Sequence, residues 1–81
     1  MYEITIQKKG AKVEGSLVFD GKKYTIDADA EDYLNNETTR KRILNACMGR
    51  IFTNLARKKG LKWDDEFTND HEHLIQINNL T

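Results

Sequence analysis

The hydrophobic pattern changes period at Asp29, and that switch constrains the fold more than any other feature of the chain. Up to Asp29, apolar residues recur at every second position. Tyr2, Ile4 and Ile6 alternate with Glu3, Thr5 and Gln7. Val13, Leu17 and Phe19 repeat the pattern, and so do Tyr24, Ile26 and Ala28. A period of two puts successive side chains on opposite faces of an extended strand. KKGAK separates the first two runs. Asp20-Gly21 separates the second and third, and this pair suits the positive φ required at both central positions of a type I′ hairpin turn. The sequence predicts a three-stranded meander.

Beyond Asp29 the period becomes helical. Leu44, Cys47, Met48, Ile51, Phe52 and Leu55 fall within about 140° of one another at 100° per residue. Gly60 is placed to end that helix. Asp29-Ala-Glu-Asp32 resembles a capping box and starts a helix near Ala30. One unbroken helix from there would put Glu37, Arg40 and Lys41 on the buried stripe with Tyr33, and a core does not accept such a row without partners. A short helix at 30–35, a break near Asn36 and a main helix from Thr38 to Lys59 are therefore expected. The alternative is one long helix whose first turns overhang the sheet. LKWDDEFTND reads as a polar connection. In HEHLIQINNL the alternation returns, with Ile75 and Ile77 inward on a fourth strand. Glu3, Thr5, Glu14, Ser16, Thr25, Asp27 and Gln76 would leave the other sheet face wet, interrupted by Val18 and Leu74.

The expected architecture is a two-layer α+β domain of order β-β-β-α-β. One mostly antiparallel four-stranded sheet carries one long amphipathic helix on its apolar face. Residues 1–81 make a single domain, since 81 residues support no more than one.

Composition narrows the function. Thirteen Lys and Arg balance thirteen Asp and Glu, so the whole molecule has no net attraction for nucleic acid or membrane. Cys47 is the only cysteine. One thiol cannot staple a secreted domain, and a reducing, cytoplasmic setting is expected. The N-terminal residues carry no signal-peptide pattern, and no apolar run approaches the roughly 18 residues of a membrane span. The chain has no phosphate-binding glycine loop, dinucleotide fingerprint or nucleophile elbow. Neither an enzyme nor a cofactor is expected. Cys47 falls on the buried helical stripe and reads as a small core residue. His71 and His73 lie two apart on one face of the expected fourth strand, beside Asp70. A metal there would need a third ligand from Asp64, Asp65 or Glu66. The plainer reading is a polar strand start, and no metal site is assigned.

Charge is neutral in sum but blocky in order. Five acids lie between Asp27 and Glu37, eight bases and no acid between Arg40 and Lys62, and five acids between Asp64 and Glu72. Arg57, Lys58 and Lys59 suit the negative C-terminal end of a helix. Arg40, Lys41 and Arg42 do not suit its N-terminal end. If Thr38 or Thr39 caps the helix, the triplet sits near the positive pole and invites a compensating anion, within the fold or on another molecule. Gly49 lies mid-helix toward solvent, where close approach of a partner backbone would explain it, although simple tolerance of a glycine on an exposed face is the plainer reading. Trp63 suits either a lid over the helix end or an exposed anchor for a protein partner.

These features point to a small non-enzymatic binding module. It would dock on a macromolecular partner, most readily a protein, and modulate or inhibit it. The expected contact residues are Arg40, Lys41, Arg42, Arg50, Lys62 and Trp63. The absence of proline and the abundance of Asn, Asp, Lys and Thr suggest an accessory protein of an AT-rich bacterium, its phage or a mobile element. The alternative is nucleic-acid binding through the basic helix 40–62, resting on phosphate contacts because no aromatic stacking platform is visible. Both readings require the basic side chains to be free of the flanking carboxylates.

Overall fold

The meander forms as the alternation predicts, with strands β1 (Tyr2–Lys9), β2 (Lys12–Phe19) and β3 (Lys22–Asp29). Asp20 and Gly21 both adopt positive φ, at 52° and 76°, as a type I′ turn requires. The computed structural model describes all 81 residues, Met1–Thr81. Helix α1 spans Ala30–Asn35, α2 spans Glu37–Lys59, and β4 spans Ile75–Asn79. The sheet order is β3-β2-β1-β4. β1 and β3 are both antiparallel to β2, whereas β4 lies parallel to β1. A parallel neighbour needs a crossover, and α2 supplies it. The sheet is thus mixed, and α2 packs across one face.

The break near Asn36 is real and economical. Asn36 has extended backbone and serves both helices, as the C-cap of α1 and the N-cap of α2. Its side-chain oxygen accepts the N–H of Thr38 at 3.0 Å. Asn36 therefore takes the capping role that the sequence left to Thr38 or Thr39. Thr39 is instead buried, with its hydroxyl donating to Asp32 at 2.8 Å. The change of direction brings Tyr33 into the core and keeps Glu37 and Lys41 exposed. Gly60 ends α2 in the left-handed conformation, its N–H donating to Ala56 and Arg57 carbonyls.

Two elements correct the sequence reading. The presumed polar connection contains helix α3 (Asp65–His71), followed by a single 3-10 turn at Glu72–Leu74. Asp64 caps α3 by accepting the Phe67 N–H at 2.8 Å. Phe67 is buried, with its ring edge-on to Phe52 at 6.3 Å and stacked on His71 at 3.9 Å between centroids. His71 and His73 therefore lie on a helix end and a 3-10 turn, not on a strand. His71 Nδ1 sits 2.8 Å from the Phe67 carbonyl. Leu74, expected on the wet face, packs against the core. Ile75 is half-buried as expected, but Ile77 remains 46% exposed on the edge strand.

Helix α2 is consequently buried from two sides. Ile43, Cys47 and Ile51 face the sheet and are fully buried. Phe52 is covered by Phe67 of α3 and by Trp63, and Ala56 is also buried, which widens the apolar stripe beyond its expected arc. The helix meets the sheet closely at Gly15. A Cβ there would stand 2.8 Å from Ile43 Cγ2 and 3.0 Å from Cys47 Sγ.

Burial pushes the Cys47 thiol up from its ordinary value. Lys58 is also raised, by its hydrogen bond to Asp20 and then by that carboxylate's charge. A folded-state pKa above the unfolded one gives stability that is complete below the unfolded value and is lost as pH rises through the folded one. The exposed lysine adds little to this. The urea-unfolding midpoint should therefore fall as pH climbs past about 8.5, where an unfolded thiol ionises, and the fall should be shallower in Cys47→Ala. In the native protein at mildly alkaline pH, a disulfide reagent should label Cys47 only as fast as the chain opens, at least about 100-fold slower than in denaturant.

Candidate functional site

The basic block is carried almost entirely by α2, and the fold sorts its cations into spent and free. Arg40 is spent. Its Nη1 donates to the carbonyls of Tyr33 and Leu34 at 3.0 and 3.1 Å. These are the orphan acceptors at the C-terminal end of α1, the pole where a cation is favoured. The triplet is therefore not misplaced. With Asn36 as cap, Arg40 enters in the second turn of α2, and the positive pole of that helix meets Glu37 first. Lys41 pairs with Glu37 at 3.4 Å, a solvated i,i+4 contact worth a few tenths of a kcal/mol. Arg42 is exposed and has no carboxylate within ion-pair distance.

Half of the ten flanking acids have a side-chain partner, and for two of them it is a backbone N–H at a helix start. Asp29 caps α1 by accepting the Asp32 N–H, Asp64 caps α3, and Asp65 and Glu66 lie in the first turn of α3. There the helix dipole favours them. Four ion pairs form in all, joining Lys9 to Glu14, Lys12 to Asp27, Lys41 to Glu37 and Lys58 to Asp20. Only the Lys41–Glu37 pair draws a cation of α2 to a flanking acidic block. Arg42, Arg50, Arg57 and Lys62 take part in none.

Arg42, Arg50 and Arg57 fall within about 80° of arc on α2 at 100° per residue. Arg50 lies over the Tyr24 ring at 5.3 Å, and Lys22 approaches the same ring at 5.9 Å. This fixes Arg50 on the flank of the helix beside β3. A shallow groove continues along that flank between the hairpin and α2, lined by Phe19, Lys22, Tyr24, Asn54, Arg57 and Lys58. Asp20, at the hairpin tip, is its single acid and holds Lys58 at 2.9 Å. The Lys58 ammonium also stands 5.5 Å over the Phe19 ring, which stacks on Tyr2 at 5.1 Å. The groove thus gathers cations on aromatic faces, a setting that holds long side chains in place at modest cost.

The expected contact residues do not form one patch. Arg50 belongs to the β3 flank, and Arg42 extends that flank toward the N-terminus of α2. Arg40 is half-buried under α1. Lys62 and Trp63 lie beyond the end of α2, and Trp63 turns back onto it. The Trp63 ring sits over Phe52 at 6.2 Å, with its Nε1 donating to the Thr68 hydroxyl at 2.8 Å. It also explains Gly49. A Cβ at Gly49 would come within 3.3 Å of Trp63 Cη2, so the close approach is made by the chain's own tryptophan. Trp63 is a lid that stays 44% exposed. Sequence reasoning missed Lys22, Tyr24 and Arg57 as neighbours of Arg50. The pairing of β3 with β2 and the side of the sheet on which α2 lies bring them together, and neither is written in local periodicity.

No three His, Cys, Asp or Glu side chains cluster in a geometry able to hold a metal ion. No helix is long and apolar enough to cross a membrane. Comparison of the chain with protein-family models, with curated proteins and with solved structures finds no match.

Proposed function

We propose that this protein is a non-enzymatic binding module that docks on an acidic surface of a protein partner and modulates or inhibits it. The docking face is the cationic flank of α2 with Arg42, Arg50, Arg57, Lys22 and Tyr24. The observation that carries this reading is that Arg42, Arg50 and Arg57 share one flank and none is neutralised by a carboxylate of the fold. Arginine and tyrosine are residue types enriched at binding hot spots. Arg50, already resting on Tyr24, loses less side-chain freedom on association than a free arginine would. Lys62 and Trp63 form a second, separate candidate contact at the far end of the helix. A small accessory protein of a bacterium, phage or mobile element fits this description.

A protein partner suits the surface better than nucleic acid. The exposed acids of α3 remain unpaired with cations, so the molecule presents both signs. A protein can complement such a dipolar surface, whereas a phosphate backbone would be repelled by the acidic part. The Tyr24 ring has two cations over it, which leaves it poorly placed to stack a base.

The test is affinity capture from extract of the source cells, using wild type and a variant with Arg42, Arg50 and Arg57 all changed to Glu. The variant should lose the specific partner while keeping the wild-type melting profile. Equal recovery by both baits would refute the docking face. Titration with duplex and single-stranded oligonucleotides at low salt decides between the classes. Binding that collapses as salt rises would favour the nucleic-acid reading and count against this one.

A further inference from the structure

The two edges of the sheet are built differently. The β3 edge carries Lys22, Lys23, Asp27 and Asp29, the charges with which natural proteins protect an exposed strand. The β4 edge, from Ile75 to Asn79, carries no charge and no proline. It exposes Ile77 to 46%.

The backbone of β4 is poised for a further strand. The Leu80 N–H donates to the Ile6 carbonyl at 2.8 Å. By the alternation of a parallel ladder, the amide groups of Ile75, Ile77 and Asn79 then point away from β1. The Ile75 N–H is already taken, by the Glu72 carbonyl. The Ile75 carbonyl and both groups of Ile77 and Asn79 remain open.

That pattern is self-complementary. An antiparallel copy centred on Ile77 would exchange both of its hydrogen bonds with the same residue of the second chain. Each Asn79 N–H would meet the open Ile75 carbonyl opposite. Side chains match as well, because Ile77 would pack on Ile77 while the Gln76 and Asn78 amides face each other on the wet side. No like charges on the strand oppose the approach. We infer that β4 is a homodimer edge, at which two copies of this chain pair antiparallel about Ile77 into one continuous eight-stranded sheet.

The inference is independent of the cationic flank, which lies beside the opposite edge. One strand pair and one isoleucine contact make a small interface, so the dissociation constant should be about 10–100 μM, in the weak, transient class. Sedimentation velocity from well below to well above that range should show a monomer giving way to a dimer. Ile77→Lys, which sets two ammonium groups against each other on the twofold axis, should raise the dissociation constant at least about 10-fold. The melting profile of Ile77→Lys reports whether the variant folds. Amide exchange in the wild type tests the pairing without any variant, because the Ile77 and Asn79 N–H groups should gain protection with concentration while α2 does not. A monomer at every concentration overturns the inference. So does a dimer whose Ile77 and Asn79 amides exchange at a concentration-independent rate. If those amides are protected only when an unrelated extended peptide is added, the edge receives a foreign strand and the self-pairing is wrong.

Discussion

Gly15→Ala should lower stability by about 2 kcal/mol, and Gly15→Val should leave the chain largely unfolded at room temperature. Gly15 is not in β2 for backbone freedom, since its φ is not positive. It is there for space. Its pairing partners Ile6 and Ile26 set the strands on either side, and α2 descends onto the gap with Ile43 and Cys47. An added methyl would stand 2.8 Å from Ile43 Cγ2, against a branched side chain that is fully buried and has no free direction to move. Relief requires lifting the helix from the sheet. For a domain of this size total stability is about 4–12 kcal/mol, and a loss of 1 kcal/mol lowers Tm by about 4–8 °C. A thermal melt of Gly15→Ala should therefore shift down by about 8–16 °C. A shift below a few degrees would mean that α2 does not rest on Gly15.

Phe52→Ala should cost about 4 kcal/mol and should also release the α3 region. Phe52 is fully buried, and it is the one ring that Trp63 and Phe67 both touch. Its removal takes away the floor on which the tryptophan lid and α3 rest. Because Trp63 is the only tryptophan, its emission reports that event directly. It should shift to the red in Phe52→Ala under conditions where the far-ultraviolet signal of α2 persists. Emission unchanged from wild type would show that Trp63 is held by the Thr68 hydrogen bond and Gly49 alone.

The layers of this fold were legible because they rest on period. The alternation of β1 to β3, the Asp20-Gly21 turn and the stripe on α2 are local patterns, and each forms where it is written. The break at Asn36 was legible for another reason, since continuing the helix would have buried Glu37, Arg40 and Lys41. Helix α3 was hidden. Its seven residues hold one core side chain, Phe67, among polar neighbours, and a single apolar position has no period. The Asp64 cap and the acids that follow it were its available signal. Ile77 was misjudged because alternation gives the face of a side chain, not whether the helix extends far enough to cover it.

The candidate site was less legible than the fold. Counting charge found the basic block but could not tell spent cations from free ones. Arg40 became a helix-end donor only because the chain turns at Asn36 and points the α1 carbonyls at it. Gly49 read as a tolerated glycine or an opening for a partner, and Trp63, fourteen positions later, fills the space. Arg50 acquired Lys22 and Tyr24 as neighbours through tertiary contact. Net charge and spacing thus located the right helix, while the arrangement of the sheet decided which flank of it stays open.

The account's central claim is that the open flank beside β3, rather than the basic block as a whole, holds the partner. The direct measurement is a three-bait capture, comparing wild type with Arg50→Glu/Arg57→Glu and with Lys41→Glu/Lys62→Glu, all verified as folded. Loss of the partner with the first pair of changes and its retention with the second is the predicted result. Retention with the first pair, or equal loss with both, would contradict the claim.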